Sequence, residues 1–117
     1  MAKLTTQVVP LTGVKIVPVA ASAGGDKMAN DGKTVLRVVN AAGVGRTITV
    51  TAVQTTAVVP GFGTLTRGNV VVVTATAETW DIGPFPTAFN DANGDVGWTY
   101  SSEAGLTVAA VRVEPVV

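Results

Sequence analysis

Thr47-Ile48-Thr49-Val50-Thr51-Ala52-Val53 decides the fold class. In an extended chain Ile48, Val50 and Ala52 fall on one side, and Thr47, Thr49 and Thr51 on the other. That period of two is the signature of a strand with one buried face. A one-residue slip would carry three threonines into the core, so the pattern also fixes which face turns inward. The rest of the chain is written in the same residues. Valine (23) and threonine (17) account for 40 of the 117 positions. Both are β-branched, stiff at χ1 and suited to a pleated, half-buried surface. Leucine (5), lysine (4) and glutamate (3) are scarce, so alanine is the only abundant helix former. The expectation is an all-β chain.

Working outward, Thr34–Asn40 reads as a strong strand, with the glycine-containing turn 41–45 between it and the central stretch. Leu106–Val113 reads as the last strand, with a β-bulge where the phase shifts near Ala109-Ala110. Val96–Ser101 is a short strand after a turn at Asp91–Asp95. Val70–Thr79 is a nearly continuous apolar run, expected to be a central strand buried on both faces. Val14–Ala20 is a strand demoted to an edge by Pro18. Residues 22–33 and 54–69 are expected to be connections, and 80–89, with Gly83, Pro84 and Pro86, an irregular or 3₁₀ corner. Thr5–Val9, closed by Pro10 and Gly13, leaves two readings of residues 1–13: an extended arm or an edge strand. Residues 14–117 then form one domain of seven or eight short strands. A β-sandwich, Ig-like or jelly-roll-like, suits that spacing best, with a small barrel as the other solution.

Composition excludes more chemistry than it suggests. The chain is long enough to bury roughly two-thirds of its unfolded surface in one core. It has no cysteine and no histidine, which removes thiol nucleophiles, Cys/His zinc sites and imidazole catalysis. Eight basic and eight acidic residues balance to a net charge of zero, which gives no basic face for nucleic acid. Charged residues are only 14% of the chain, so the surface is short of charge and disposed to associate. The amino-terminal stretch imitates a signal peptide, but Pro10, Thr12, Lys15 and Pro18 break its apolar run. It is expected to stay with the protein, which is expected to be made and folded inside a cell. No apolar run approaches 18 residues, so no membrane partner is expected.

Each motif-like feature has a plainer structural reading. Asp91, Asn93 and Asp95 match the start of a calcium loop. The match fails at the sixth position, Val96, and at the twelfth, Ser102, with Glu103 one place too late. A hairpin with Asn93-Gly94 in a type I′ turn accounts for the same residues. Asp81, Asp91, Asp95 and Glu103 have no spacing that demands an acid–base pair. Ser22, Ser101 and Ser102 have no histidine, and a Ser–Lys dyad would need Lys3, Lys15, Lys27 or Lys33 nearby. Gly43-Val44-Gly45 and Gly61-Phe62-Gly63 do not open helices, so they read as turns rather than phosphate loops. Trp80, Phe85, Phe89, Trp98 and Tyr100 cluster in one window, either as a core plug, the favoured reading, or as an exposed platform for sugars or bases. No catalytic, cofactor-binding or metal-binding residue is assigned, no cofactor is expected, and the chain is expected not to be an enzyme.

The second half of the chain carries a resemblance. Gly83-Pro84-Phe85-Pro86, Phe89-Asn90-Asp91, Gly94-Asp95-Val96, Thr99-Tyr100-Ser101 and the run Gly105–Val113 resemble small β-rich proteins encoded among tailed-bacteriophage head genes. Asp31-Gly32 leading into Val35–Asn40 extends the likeness, so it covers roughly residues 31–113. The resemblance implies a non-enzymatic decoration (cement) protein on the capsid exterior, made in the host cytoplasm. Its implied partner is the phage major capsid protein, and its implied state a homo-oligomer, a trimer favoured. A carbohydrate- or host-surface-binding module using the aromatic window is the first alternative. A phage tail or head–tail connector subunit is the second.

Overall fold

The computed structural model describes residues 2–113. In chain order its strands are β1 (Ala2–Leu4), β2 (Thr6–Val9), β3 (Val19–Ala20), β4 (Asp26–Ala29), β5 (Thr34–Asn40) and β6 (Arg46–Val50). They continue with β7 (Thr56–Val59), β8 (Gly63–Thr66), β9 (Val70–Thr74), β10 (Thr79–Ile82), β11 (Asp95–Tyr100) and β12 (Leu106–Val113). Among the described residues helix is limited to a 3₁₀ turn at Thr87–Phe89. The all-β sandwich expected from the residue mix and the strand spacing is the fold the chain adopts, with twelve short strands among the described residues where seven or eight were expected.

Two five-stranded layers make the body. The first sheet runs β1-β4-β11-β6-β9. The second runs β10-β5-β12-β2, with β3 also paired to β12. β2 runs parallel to the last four residues of β12, whereas β3 pairs antiparallel at Thr107 and Val108. β12 is thus flanked by β5 on one side and by two amino-terminal strands on the other.

Residues 2–9, read as arm or edge strand, pair within the chain. β1 lies parallel to β4 in the first sheet, and after Thr5 alone β2 lies parallel to β12 in the second. One short segment therefore stitches the layers together, with Leu4 buried at the crossing.

Alternation builds the core. β5 buries Thr34, Leu36, Val38 and Asn40, and every second residue between them is half-buried. β6 buries Ile48 and Val50, and Ala52 is buried just beyond it, the face expected for these residues. Met28, Val96, Trp98, Val108 and Ala110 are fully buried as well, together with the polar Asp26 and Thr74. Asn40 locks one end: its Nδ2 donates to Thr74 Oγ1 at 3.1 Å and to Val44 O at 3.2 Å, while its Oδ1 accepts from Ala42 N–H at 2.9 Å. Gly105 (φ +77°) sits so close to Ala42 that a Cβ would lie 2.7 Å from its backbone.

Several local expectations are corrected. Residues 22–33 are not all loop, because β4 forms inside them by pairing with β11, which buries Asp26 and Met28. Only Val19 and Ala20 of the stretch 14–20 are strand, since Pro18 supplies no donor. The β5–β12 register runs unbroken from Leu106↔Asn40 to Arg112↔Thr34, so there is no bulge at Ala109-Ala110. The phase shift is double-sided burial instead: Val108, Ala109, Ala110 and Val111 are all buried. Val70–Thr79 is not one central strand. β9 ends at Thr74 on the rim of the first sheet, with Val71 60% and Val73 64% exposed, and β10 belongs to the second sheet. The connection 54–69 contains the hairpin β7–β8.

Candidate interaction surface

The charged and aromatic candidates are taken up by the body. Asp91 Oδ1 accepts from the Asn93 N–H at 2.8 Å and from the Asp95 N–H at 3.1 Å. These backbone donors, that of Asp95 foremost, hold the Asp91 carboxyl below its ordinary range. Gly94 N–H closes the turn on Asp91 O at 3.1 Å, and only Gly94 has positive φ there (+79°). The turn is therefore not type I′, which needs positive φ at Asn93 as well. Asp95 is buried and faces the ammonium groups of Lys3 at 3.1 Å and Lys27 at 3.8 Å. Asp81 pairs with Arg37 at 2.9 Å. Among the described residues, no three carboxylates gather around a common point. Ser101 Oγ accepts from the Thr47 N–H, and Glu103 O accepts from the Leu106 N–H.

The aromatic window splits. Phe85 and Phe89 are buried with ring centroids 5.6 Å apart, and the Arg67 guanidinium lies 5.7 Å from the Phe89 ring. Trp98 is fully buried, and its Nε1 donates to Tyr100 Oη at 2.8 Å. Tyr100 Oη in turn donates to Asp26 Oδ2 at 2.6 Å. Burial first, and the Asp26 hydrogen bond second, push the Tyr100 hydroxyl far above its ordinary range. Trp80 alone is displayed, at 40% exposure, with its Nε1 held by Glu78 Oε1 at 3.2 Å. The other four rings form a core plug rather than a platform.

What the body leaves over is the hairpin. β6 and β9 pair from Val50↔Val70 outward to Arg46↔Thr74, and the chain between them folds back on itself as β7 and β8. The hairpin is fastened at its root by Val53 and Gln54 N–H groups donating to Ala88 O, and by Arg67 N–H donating to Thr55 O. Its tip is a type II turn. Phe62 N–H donates to Val59 O at 2.9 Å, with Pro60 and then Gly61 (φ +81°) between them.

Among the described residues, no layer opposes the hairpin beyond its root. Every residue of β7 and β8 is exposed except half-buried Val59. Val58 is 77%, Leu65 59% and the tip Phe62 85% exposed. From Thr51 to Thr66 there is no charged residue. A cleft of about 310 Å³ lies at the root between Ala57, Leu65, Arg67 and Ala88. The arm also shows in the dimensions: the radius of gyration is 15.3 Å, where a compact domain of this length has roughly 13.4 Å. Accessible area is 6698 Å² against roughly 5,900 Å² for a compact chain of this mass.

The sequence reading passed over this arm. Its signals were present in Pro60-Gly61, a turn pair for type II, and in the valines and threonines on either side. The chain matches no protein-family model, no curated protein and no solved structure.

Proposed function

We propose that this chain is a non-enzymatic structural protein that attaches to a larger protein lattice through the β7–β8 arm, and that the lattice is the exterior of a tailed-phage capsid. One observation carries the reading: an uncharged, apolar hairpin projects from a well-packed body and buries almost nothing of itself. A two-stranded hairpin is marginal in water, so an arm of this kind is stabilised by a surface that covers it. Val58, Phe62 and Leu65 supply the apolar anchors. A capsid repeats the receiving surface many times, which turns a modest contact per copy into high occupancy. The resemblance of residues 31–113 to phage head proteins supports the choice of lattice. Burial of Trp98, Phe85 and Phe89 weighs against the sugar-binding alternative.

The test is co-sedimentation of the full chain with heads assembled from a tailed-phage major capsid protein. Saturable binding at many copies per head, lost in Phe62→Ser, is the expected result. Binding of a single ring of copies per particle would make the chain a connector. Absence of head binding, together with Trp80-dependent retention on a polysaccharide column, would replace the proposal with the carbohydrate reading.

A further inference from the structure

The two main sheets have four edges, and three of them are guarded. β1 carries Lys3, and β10 carries Asp81 with Pro84 just beyond it. β2 is followed by Pro10 and covered at Val17, where the Gln7 amide takes the place of a backbone unit. Its Nε2 donates to Val17 O at 2.9 Å, and its Oε1 accepts from the Val17 N–H at 2.8 Å. Charge, proline and cover are the ordinary means by which a sheet edge avoids pairing. β9 has none of them: Val70-Val71-Val72-Val73-Thr74 is uncharged, extended and on the rim.

Its open hydrogen-bonding groups can be assigned. Ser101 N–H donates to Thr47 O and Thr51 N–H to Gly97 O, so Thr47, Thr49 and Thr51 turn their backbone groups toward β11. Ile48 and Val50 then turn theirs toward β9, where they face Val72 and Val70. Val71 and Val73 are left with N–H and C=O groups directed off the sheet.

We propose that β9 pairs antiparallel with β9 of a second copy of this chain, about a two-fold axis through Val72, joining two five-stranded sheets into one of ten. In that register Val71 of each copy faces Val73 of the other, and each such pair exchanges two hydrogen bonds. The edge is its own complement because its donors and acceptors alternate symmetrically about Val72. A two-fold contact also sets the same patch of each copy against itself, so a patch carrying one sign of charge repels itself across the axis. From Thr47 to Ala77 the only charged residue is Arg67, which suits this stretch to meeting its own copy. The pairing needs no other component, so it stands apart from capsid attachment. It is also two-fold, unlike the trimer that the phage resemblance implies.

Sedimentation velocity of the full chain over a range of concentrations tests it. A reversible dimer is expected. The chain is free of cysteine, so Val72→Cys introduces a lone thiol, and in the proposed register its α-carbon lies about 4.5 Å from that of its counterpart. Mild oxidation should convert that variant to a covalent dimer and leave Val44→Cys, on an exposed loop, uncrosslinked. A Val71→Lys, Val73→Lys variant and a Val71→Glu, Val73→Glu variant place charges only at exposed positions and should each be folded monomers. Mixed in equal amounts, they should form a heterodimer. A chain that stays monomeric at every concentration overturns the proposal, and so does a dimer that survives the lysine pair. Failure of the two charged variants to associate when mixed overturns the register.

Discussion

β6 and β8 are built alike, and they meet opposite fates. Thr47-Ile48-Thr49-Val50 and Thr64-Leu65-Thr66 both alternate threonine with an aliphatic residue. In β6 the aliphatic face meets the second sheet, and Ile48 and Val50 are fully buried. In β8 no second layer lies opposite among the described residues, and Leu65 is 59% exposed. Period-two patterning therefore marks which residues share a face, while a face becomes a core only where another layer lies opposite. The body is a closed structure, and the arm has one half of an interface.

Four substitutions probe that contrast, from the deepest site to the most exposed. Trp98→Ala empties the middle of the body and should cost about 3–5 kcal/mol, enough to shift the urea midpoint sharply. If the midpoint hardly moves, the sheets are not held by the core described here.

Tyr100→Phe is next. It removes the hydroxyl between the Trp98 N–H and Asp26, leaving both without that partner in a buried setting, at about 1–3 kcal/mol by thermal melting. It should also change the alkaline limb. The folded Tyr100 hydroxyl titrates well above its ordinary value of 10.0, so unfolded chains lose this proton first. Stability is then full below about pH 10 and falls as pH rises beyond it. The phenylalanine variant should lose that slope, and spectrophotometric titration of this lone tyrosine reads the ionisation directly.

Asp31→Asn should do less. Arg112 beside Asp31 holds its carboxyl well below the ordinary 3.8, so this pair contributes above about pH 4 and is lost as acid protonates it. Both side chains are more than a third exposed, which limits the effect to under about 1 kcal/mol. Asparagine keeps the side-chain oxygen that caps the Lys33 and Thr34 N–H groups, so acid titration of the two proteins isolates the charge. Smallest of all, Phe62→Ser at the arm tip should leave the melting curve within about 0.5 kcal/mol of the parent. A large loss there would mean that the arm folds against the body.

The legible parts of the fold are those with strong local signals. β5 and β12 begin and end where the sequence places them, because each is a long β-branched run with a turn before it. β4 was hidden: Asp26-Lys27-Met28-Ala29 has little strand character and becomes a strand through its pairing with β11. Whether Val70–Thr74 is central or on a rim depends on what lies beside it, which a run of valines does not encode. The aromatic window was similarly ambiguous. Trp80 and Trp98 both sit in β strands, yet Trp98 turns into the body and Trp80 out of it. The acidic turn at Asp91 was readable as a hairpin from Asn93-Gly94, although its type depended on the backbone angle at Asn93.

The pairing of β2 with β12 bears on the order in which the molecule can form. β12 is the last of the described strands to be synthesised, and it is the neighbour of β5, β2 and β3 together. Until it emerges, the second sheet has no strand to join its two halves, and residues 6–9 have nothing to lie against. The first sheet waits on β11, which joins β4 to β6 and is itself made late. Contacts this distant along the chain make folding slow, and they leave β2 without its partner strand until β12 is made. For this topology, the second sheet closes only when β12 has been made.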